Sequence, residues 1–325
     1  MSLKTFFHDI YDLTRLPLGI MGAAAGLTAG MIVVLVHHQD PSKNTILIVL
    51  ELLPKYWEVA ILGLAIPFLI VGASMAINDY HDYEADRINN RMDRPLVRNP
   101  DLKPQFVLIL SLSMILTGIL LSFVLFSDNL LVVIGVTISS FLAISYNIWT
   151  KEKGLMGNMT VAACDMAPFL LALVAMAGKE GGTDIFYLFT AEIIETTLVV
   201  LIMTAITFFG VVGRELIKGI MDMEGDRATS SHTFAVRYGP NRAVQLASIF
   251  FMIVIVLAPI PLFIKFQNNV LYATFMLVSI ILLFYSVLIL SRDQSVAAGK
   301  KGRTYTRTAL WSGVLSFLVG ALTMT

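Results

Sequence analysis

The chain has 325 residues, of which 57% are hydrophobic and only 14% charged, and its mean hydropathy is +0.78. A soluble protein of this length carries about a quarter charged residues, so a water-soluble globular fold is excluded. The 23 basic and 23 acidic residues balance; net charge therefore identifies no partner, and no nucleic acid is expected to be one.

Apolar runs near twenty residues recur from end to end, as membrane-crossing helices require. Nine are expected, near 16–36, 57–79, 105–126, 130–149, 157–177, 193–214, 243–264, 270–290 and 308–324. Runs this long exclude a barrel, whose strands alternate over about ten residues. The expected fold is therefore all-α: a polytopic membrane protein, a bundle of nine transmembrane helices with two cytosolic motif loops. The run at 16–36 has no cleavage-like end before His37 and reads as an anchor rather than a removed signal. No low-complexity stretch or long linker divides the chain, so residues 1–325 are expected to form a single domain.

Loop charges orient the bundle. Of the 23 basic residues, only Lys43, Lys55, Lys179 and Lys265 fall on the side away from the N-terminus. The positive-inside rule then places the N-terminus and the loops at about 80–104 and 215–242 in the cytoplasm and the C-terminus outside, in a multi-pass protein of the cell membrane. Those two loops are the long ones, and long loops in a compact bundle tend to be functional. Asp101 and Pro104 precede the third span in cap and first-turn positions, Gly239-Pro240-Asn241 does the same before the seventh, and short helices are expected within both loops. The lone Cys164 excludes an internal disulfide.

Each long loop opens on an acidic string. NDYHDYEADRINN carries Asn78, Asp82 and Asp86 at steps of four; ELIKGIMDMEGDR carries Asp222 and Asp226 at the same step, preceded by Glu215 and Lys218. A step of four rotates a helical side chain by only about 40°, so each set shares a face. Magnesium takes oxygen ligands and is usually held by one or two carboxylates together with substrate phosphates. Two such clusters on one membrane face suit metal ions gripping a very anionic group, of which a lipid diphosphate fits best. Four aspartates and two Mg²⁺ cancel in charge, so basic side chains must balance the diphosphate; Arg94, Lys151, Lys153 and Lys218 lie on this face. Single acidic residues at helix ends are commonly just solvated, but matched clusters beside lipid usually mark function.

Asn78-x-x-x-Asp82-x-x-x-Asp86 after the second span and Asp222-x-x-x-Asp226 after the sixth resemble the UbiA family of intramembrane prenyltransferases. Arg94-Pro95-Leu96 and Gly154-Leu-Met-Gly157-Asn158 are similar to further segments of that family, and the match covers nearly the whole chain. The resemblance implies Mg²⁺-dependent transfer of an isoprenyl group from its diphosphate. It assigns Asn78, Asp82 and Asp86 to one metal, Asp222 and Asp226 to another, and Arg94 with Lys151 or Lys153 to the diphosphate. Tyr146, at the end of the fourth span, is the candidate aromatic face for an allylic cation. GRELIKGIMDMEGDR is most similar to the members that build archaeal ether lipids, which implies geranylgeranyl diphosphate as donor and geranylgeranylglyceryl phosphate as acceptor. The Glu-Gly-Asp-Arg ending also recurs in members with aromatic acceptors of the quinone or chlorophyll type. Gly219 stands where many relatives have a further Asp, three residues before the second pair.

Other polar residues carry weaker signals. Asp165, about 12 Å beyond Gly157 along the fifth span, is expected either to face the substrate or to hydrogen-bond between helices. Phe208 and Phe209 fit a prenyl-tail path and ordinary packing equally. A secondary transporter would favour carboxylates near the bilayer midplane on broken helices, whereas these lie at one face. The Asp-Gly-x-x-Ala-Arg string of CDP-alcohol phosphotransferases is absent.

Overall fold

The computed structural model describes residues 3–38, 51–52, 54–88, 90–151, 153–181, 185–228 and 232–323, without the side chains of residues 85, 224, 225 and 228. Among the described residues all regular structure is helical. The elements are α1 Leu3–Leu13, α2 Leu16–His38, α3 Trp57–His81, α4 Tyr83–Ile88, α5 Pro95–Arg98, α6 Pro104–Leu125 and α7 Leu130–Ser145. They continue with α8 Leu155–Gly181, α9 Ile194–Ala228, α10 Phe234–Tyr238, α11 Pro240–Leu257, α12 Val270–Arg292 and α13 Val296–Leu322. A π-helical turn, Tyr146–Thr150, follows α7. The short helices α4, α5 and α10 occupy the two motif loops, as expected.

Eight helices among the described residues are long and apolar enough to cross a membrane: α2, α3, α6, α7, α8, α9, α11 and α12, with α7 extended by the π turn and α11 by the following turn to Phe263. The bundle is built inside out relative to a soluble protein. On α6 the inward positions are Val107, Ser111, Ile115, Gly118 and Ser122, at helical spacing, while Ile109, Leu116, Leu120, Phe123 and Val124 face outward. Lipid gives large apolar side chains no reason to hide, so small residues take the interfaces and let backbones approach. Gly26 on α2 and Gly63 on α3 mark the closest crossing: a Cβ on either would overlap the other's backbone carbonyl.

The ninth expected span, 308–324, matches the second half of α13 as far as Leu322, and residue 324 lies outside the described residues. This helix begins earlier than expected, and its first turns carry Lys300, Lys301, Arg303 and Arg307, so its composition falls short of the other eight. It runs antiparallel to α12 along most of its length. Ser279 Oγ donates to Ala309 O at 2.8 Å, Ser312 Oγ to Phe275 O at 2.7 Å, Ser286 Oγ to Gly302 O at 3.3 Å and Asn269 Nδ2 to Gly320 O at 3.1 Å.

Two boundaries differ from expectation for a physical reason. The sixth span was expected to end at 214 and yield to a loop; instead α9 continues unbroken to Ala228. Its 35 residues make about 52 Å of helix against a hydrocarbon core of about 30 Å, so the second motif rides on a rigid extension rather than a loop. Before α6, the cap position belongs to Lys103, with Pro104 in the first turn; Asp101 sits in a tight turn, its N–H donating to Asn99 Oδ1 at 3.0 Å. Gly239 does precede α11, at φ 85°, a left-handed conformation suited to glycine.

Candidate active site

The first motif straddles a helix end. Asn78 and Asp79 close α3, Asp82 caps it, and Asp86 lies in α4. Backbone bonds from Asp82 N to Asn78 O (2.9 Å) and Asp86 N to Asp82 O (2.8 Å) carry the helical spacing across the junction. Asn78 Nδ2 donates to Asp82 Oδ2 at 3.0 Å, and Lys151 Nζ donates both to Asn78 Oδ1 at 3.1 Å and to Asp82 Oδ2 at 2.9 Å. An ammonium thus occupies the point on which the two oxygens converge, which is the environment a divalent cation would take. Lys153 is exposed, so of the two lysines left open by the sequence it is Lys151 that meets the first motif.

Lys151 arrives there because of the π turn. Its N–H donates to Tyr146 O at 2.9 Å, and Asn147 Nδ2 fastens the turn to α3 through Ser74 Oγ at 2.9 Å and Ser74 O at 3.1 Å. The Gly154–Gly157 segment lets α8 start against this turn: Gly154 has φ 58°, and a Cβ on Gly157 would stand 2.5 Å from Thr150 O. π-bulges of this kind are frequent at functional sites.

A second group of charges lies behind the first motif. Asp79 is 2% exposed, and its Oδ1 accepts from Arg94 Nη1 at 2.9 Å and Arg15 Nη2 at 3.3 Å. Asp86 is also buried, 3.2 Å from Arg91 Nη1 and 3.6 Å from Arg94 Nε. The structure therefore gathers Asn78, Asp82 and Lys151 on one side, and Asp79, Asp86, Arg15, Arg91 and Arg94 on the other. Asp79 lies near the edge of the first acidic stripe, but neither it nor Arg15 was among the expected site residues; Arg15 precedes the first span, and nothing in the string marks it as a partner for a residue so distant. Arg98 extends the anchorage, donating to Asp9 Oδ1 at 2.7 Å and Asp12 Oδ2 at 2.8 Å and so tying α5 to α1.

Further charges line α9. Arg214 donates from Nε and Nη2 to Glu215 Oε1 at 3.0 and 2.8 Å, Lys218 Nζ lies 3.5 Å from Glu215 Oε2, and Arg214 Nη2 lies 3.4 Å from Asp165 Oδ2 on α8. Asp226 Oδ2 accepts from Thr233 Oγ1 at 3.0 Å. Asp222, half-exposed, has no hydrogen-bond or ion-pair partner among the described residues, and Lys218, Asp226 and Arg303 lie within electrostatic range. Tyr146 lies within range of Lys218, Glu215, Arg214 and Asp226. The π turn thus carries Tyr146 toward the second motif and leads directly to Lys151 on the first. Phe208 and Phe209 pack edge to face, and Phe209 stacks on Phe250.

No group of three or more His, Cys, Asp or Glu among the described residues converges as a metal cage. An open pair of carboxylates is what magnesium needs when substrate phosphates complete its shell.

These features define a polytopic membrane enzyme. The chain belongs to the UbiA prenyltransferase family, whose family model matches residues 48–313. It is similar to the digeranylgeranylglyceryl phosphate synthase of Archaeoglobus fulgidus, 30% identical over 322 residues, which cover 98% of this chain and 97% of that one. The synthase of the same name from Pyrococcus furiosus is 33% identical over 247 residues, 76% of this chain and 79% of its relative. A solved digeranylgeranylglyceryl phosphate synthase shares the fold at a TM-score of 0.72 and 20% identity, over 98% of this chain and 99% of that one. So does a UbiA homolog from Archaeoglobus fulgidus bound to DMAPP and Mg²⁺, at a TM-score of 0.60 and 13% identity, over 94% and 99%.

Proposed function

We propose that the protein transfers a geranylgeranyl group from its diphosphate to geranylgeranylglyceryl phosphate, with Mg²⁺, in archaeal ether-lipid synthesis. The observation that carries this reading is the π turn between α7 and α8: Lys151 at its end lies on the first acidic motif and Tyr146 at its start lies toward the second. Two motifs sharing one five-residue turn can address one substrate. Similarity to a digeranylgeranylglyceryl phosphate synthase over nearly the full chain length supports the acceptor.

In this reading Asn78 and Asp82 hold one metal ion and Asp222 and Asp226 the other; when bound, Mg²⁺ supplies neutralisation of the diphosphate's negative charge. Lys151 and Lys218 bind the leaving diphosphate, adding positive charge where negative charge develops. As the allylic C–O bond breaks, its electrons go to the diphosphate; a lone pair of the acceptor's glyceryl oxygen forms the new C–O bond. Tyr146 presents its ring to the electron-poor carbon and helps exclude water. Asp86 serves as an anchor for Arg91 and Arg94, holding the first loop in register, and Arg94 acts on the diphosphate only through that loop. Residues 1–325 act as one domain, consistent with the buried apolar cluster that runs from Ala29 to Ala321. The motifs and N-terminus face the cytoplasm, and α13 crosses beside α12, leaving the C-terminus outside.

The test is an acceptor panel. Purified protein in lipid nanodiscs with Mg²⁺ and labelled geranylgeranyl diphosphate should label geranylgeranylglyceryl phosphate. Label appearing on quinone or chlorophyll precursors alone would replace this acceptor, and no Mg²⁺-dependent diphosphate release with any acceptor would reject the reaction.

A further inference from the structure

Asp165 is a carboxylate within a membrane-spanning helix, where an ionised group is costly without partners. The charged groups that face it are Arg214 and Glu215, both on α9. Arg214 is already committed to Glu215 through two nitrogens, and Glu215 also meets Lys218. Glu215 is accordingly closed off, its side chain 10% exposed, and Arg214 is 25% exposed. Asp165 is the open member at 43%, touching Arg214 at 3.4 Å through one oxygen. An arginine that has its own partner can orient this carboxylate through one oxygen without quenching it, which leaves the other oxygen with no hydrogen-bond partner among the described residues.

This contact lies inward of the second motif. Arg214 precedes Asp222 by about 12 Å of helix axis, and Lys218 stands between them. A substrate whose diphosphate sits at Asp222 therefore has its reacting carbon on the Asp165 side, toward the apolar interior. The reaction proposed above, on which this inference rests, creates a need there. As the glyceryl oxygen bonds to the allylic carbon, its hydroxyl proton has to leave, and Asp165 is a carboxylate on that side with one oxygen uncommitted among the described residues. From this placement we infer that Asp165 is the proton acceptor for the acceptor hydroxyl, and that Arg214 is the positioning residue that keeps it ionised. The step balances: the O–C bond forms with the hydroxyl lone pair, the C–O bond to diphosphate breaks with its pair leaving on diphosphate, and the proton passes to an Asp165 oxygen.

The experiment uses the full chain in nanodiscs with Mg²⁺ and measures two rates. One is transfer to geranylgeranylglyceryl phosphate; the other is diphosphate release from the donor by water with no acceptor present, in which the attacking water passes its proton to further water rather than to Asp165. In Asp165→Asn, transfer should fall about 100-fold or more while water-driven release stays within about threefold. The acid limb of the kcat–pH profile should vanish in Asp165→Asn and persist in Asp165→Glu. In Arg214→Gln the limb should move to higher pH by about one unit or more, because an opposite charge has been removed from the carboxylate. Unimpaired transfer in Asp165→Asn, equal loss of both rates in a folded variant, or an unmoved limb in Arg214→Gln would each overturn the assignment. If Asp165→Asn is not recovered folded, the Arg214→Gln limb decides. Absence of diphosphate release in the unsubstituted protein would instead overturn the prenyl-transfer reading, and this assignment with it.

Discussion

Lys151 Nζ lies 2.9 Å from Asp82 Oδ2, joining the end of the π turn after α7 to the end of α3. The pair is half-exposed, so its value for stability is small. On the proposed reading its importance is positional, because it sets a cation where the diphosphate would be received. Replacing Lys151 by Ala should lower kcat/KM for the prenyl diphosphate about 30- to 150-fold, the equivalent of one charged hydrogen bond of roughly 2–3 kcal/mol. Lys153→Ala, at an exposed neighbouring position, should change it by less than about threefold. Initial rates with labelled donor compare the two directly; equal losses would refute the choice of Lys151.

Asp82→Asn and Asp222→Asn are expected to abolish turnover while melting temperature stays near that of the parent. Both side chains are half-exposed, and Asp222 has no ion-pair partner among the described residues. Near-normal activity in both variants would contradict the metal assignment.

Asp79 behaves in the opposite way. Its carboxylate is buried between Arg15 and Arg94, so Asp79→Ala leaves two guanidinium groups without their shared anion. A loss of about 3–5 kcal/mol is expected, as for other broken buried pairs. Arg15→Ala should cost clearly less, since Arg94 still meets Asp79. Thermal unfolding in detergent, alongside donor binding, measures the difference.

Two glycines should respond with opposite sign. Gly219 sits within α9, and an added Cβ would meet only Ala235 Cβ, at an ordinary 3.7 Å. Gly219→Ala should therefore stabilise by about 0.5–1 kcal/mol, the cost of glycine in a helix interior. Gly219→Asp should likewise fold, because an added Cβ there meets nothing closer than Ala235 Cβ. Gly157→Ala drives a methyl into the Thr150 carbonyl and should lower both melting temperature and activity, because the π turn must shift.

The α12–α13 corner supplies a pH dependence. Asp293 accepts from Ser295 N at 2.8 Å and Ser295 Oγ at 2.9 Å, and the backbone hydrogen bond holds its carboxyl below the ordinary Asp value of 3.8. A depressed folded-state value means that the contribution is present above the unfolded value and lost as pH falls through the folded one. Asp293→Asn should melt below the parent at neutral pH, with the two curves converging below about pH 4. A difference that persists unchanged into acid would refute the role.

The all-helical membrane architecture and both acidic strings were legible in the sequence because they depend on local quantities: run length, apolarity and a step of four. Periodicity placed Asn78 above Asp82 before any coordinates, and the hydrogen bond between them follows from that spacing. The same local signals misjudged α9 and α13. Polar residues at a helix end look like a loop when only hydropathy is read, although an α-helix continues as readily in water as in lipid.

What the sequence determined by itself was the class of protein; it also named the residues proposed to hold metal and phosphate and the side of the membrane they were expected to share. Only the tertiary structure decided that Lys151 rather than Lys153 meets Asp82, that Asp86 is turned into an arginine network beside the paired Asp79 and Arg15, and that Arg214 faces Asp165. Those choices depend on how helices distant in the chain come together, and on a π turn whose extra residue per turn re-aims every side chain after it. No spacing rule read along one strand of sequence contains that information.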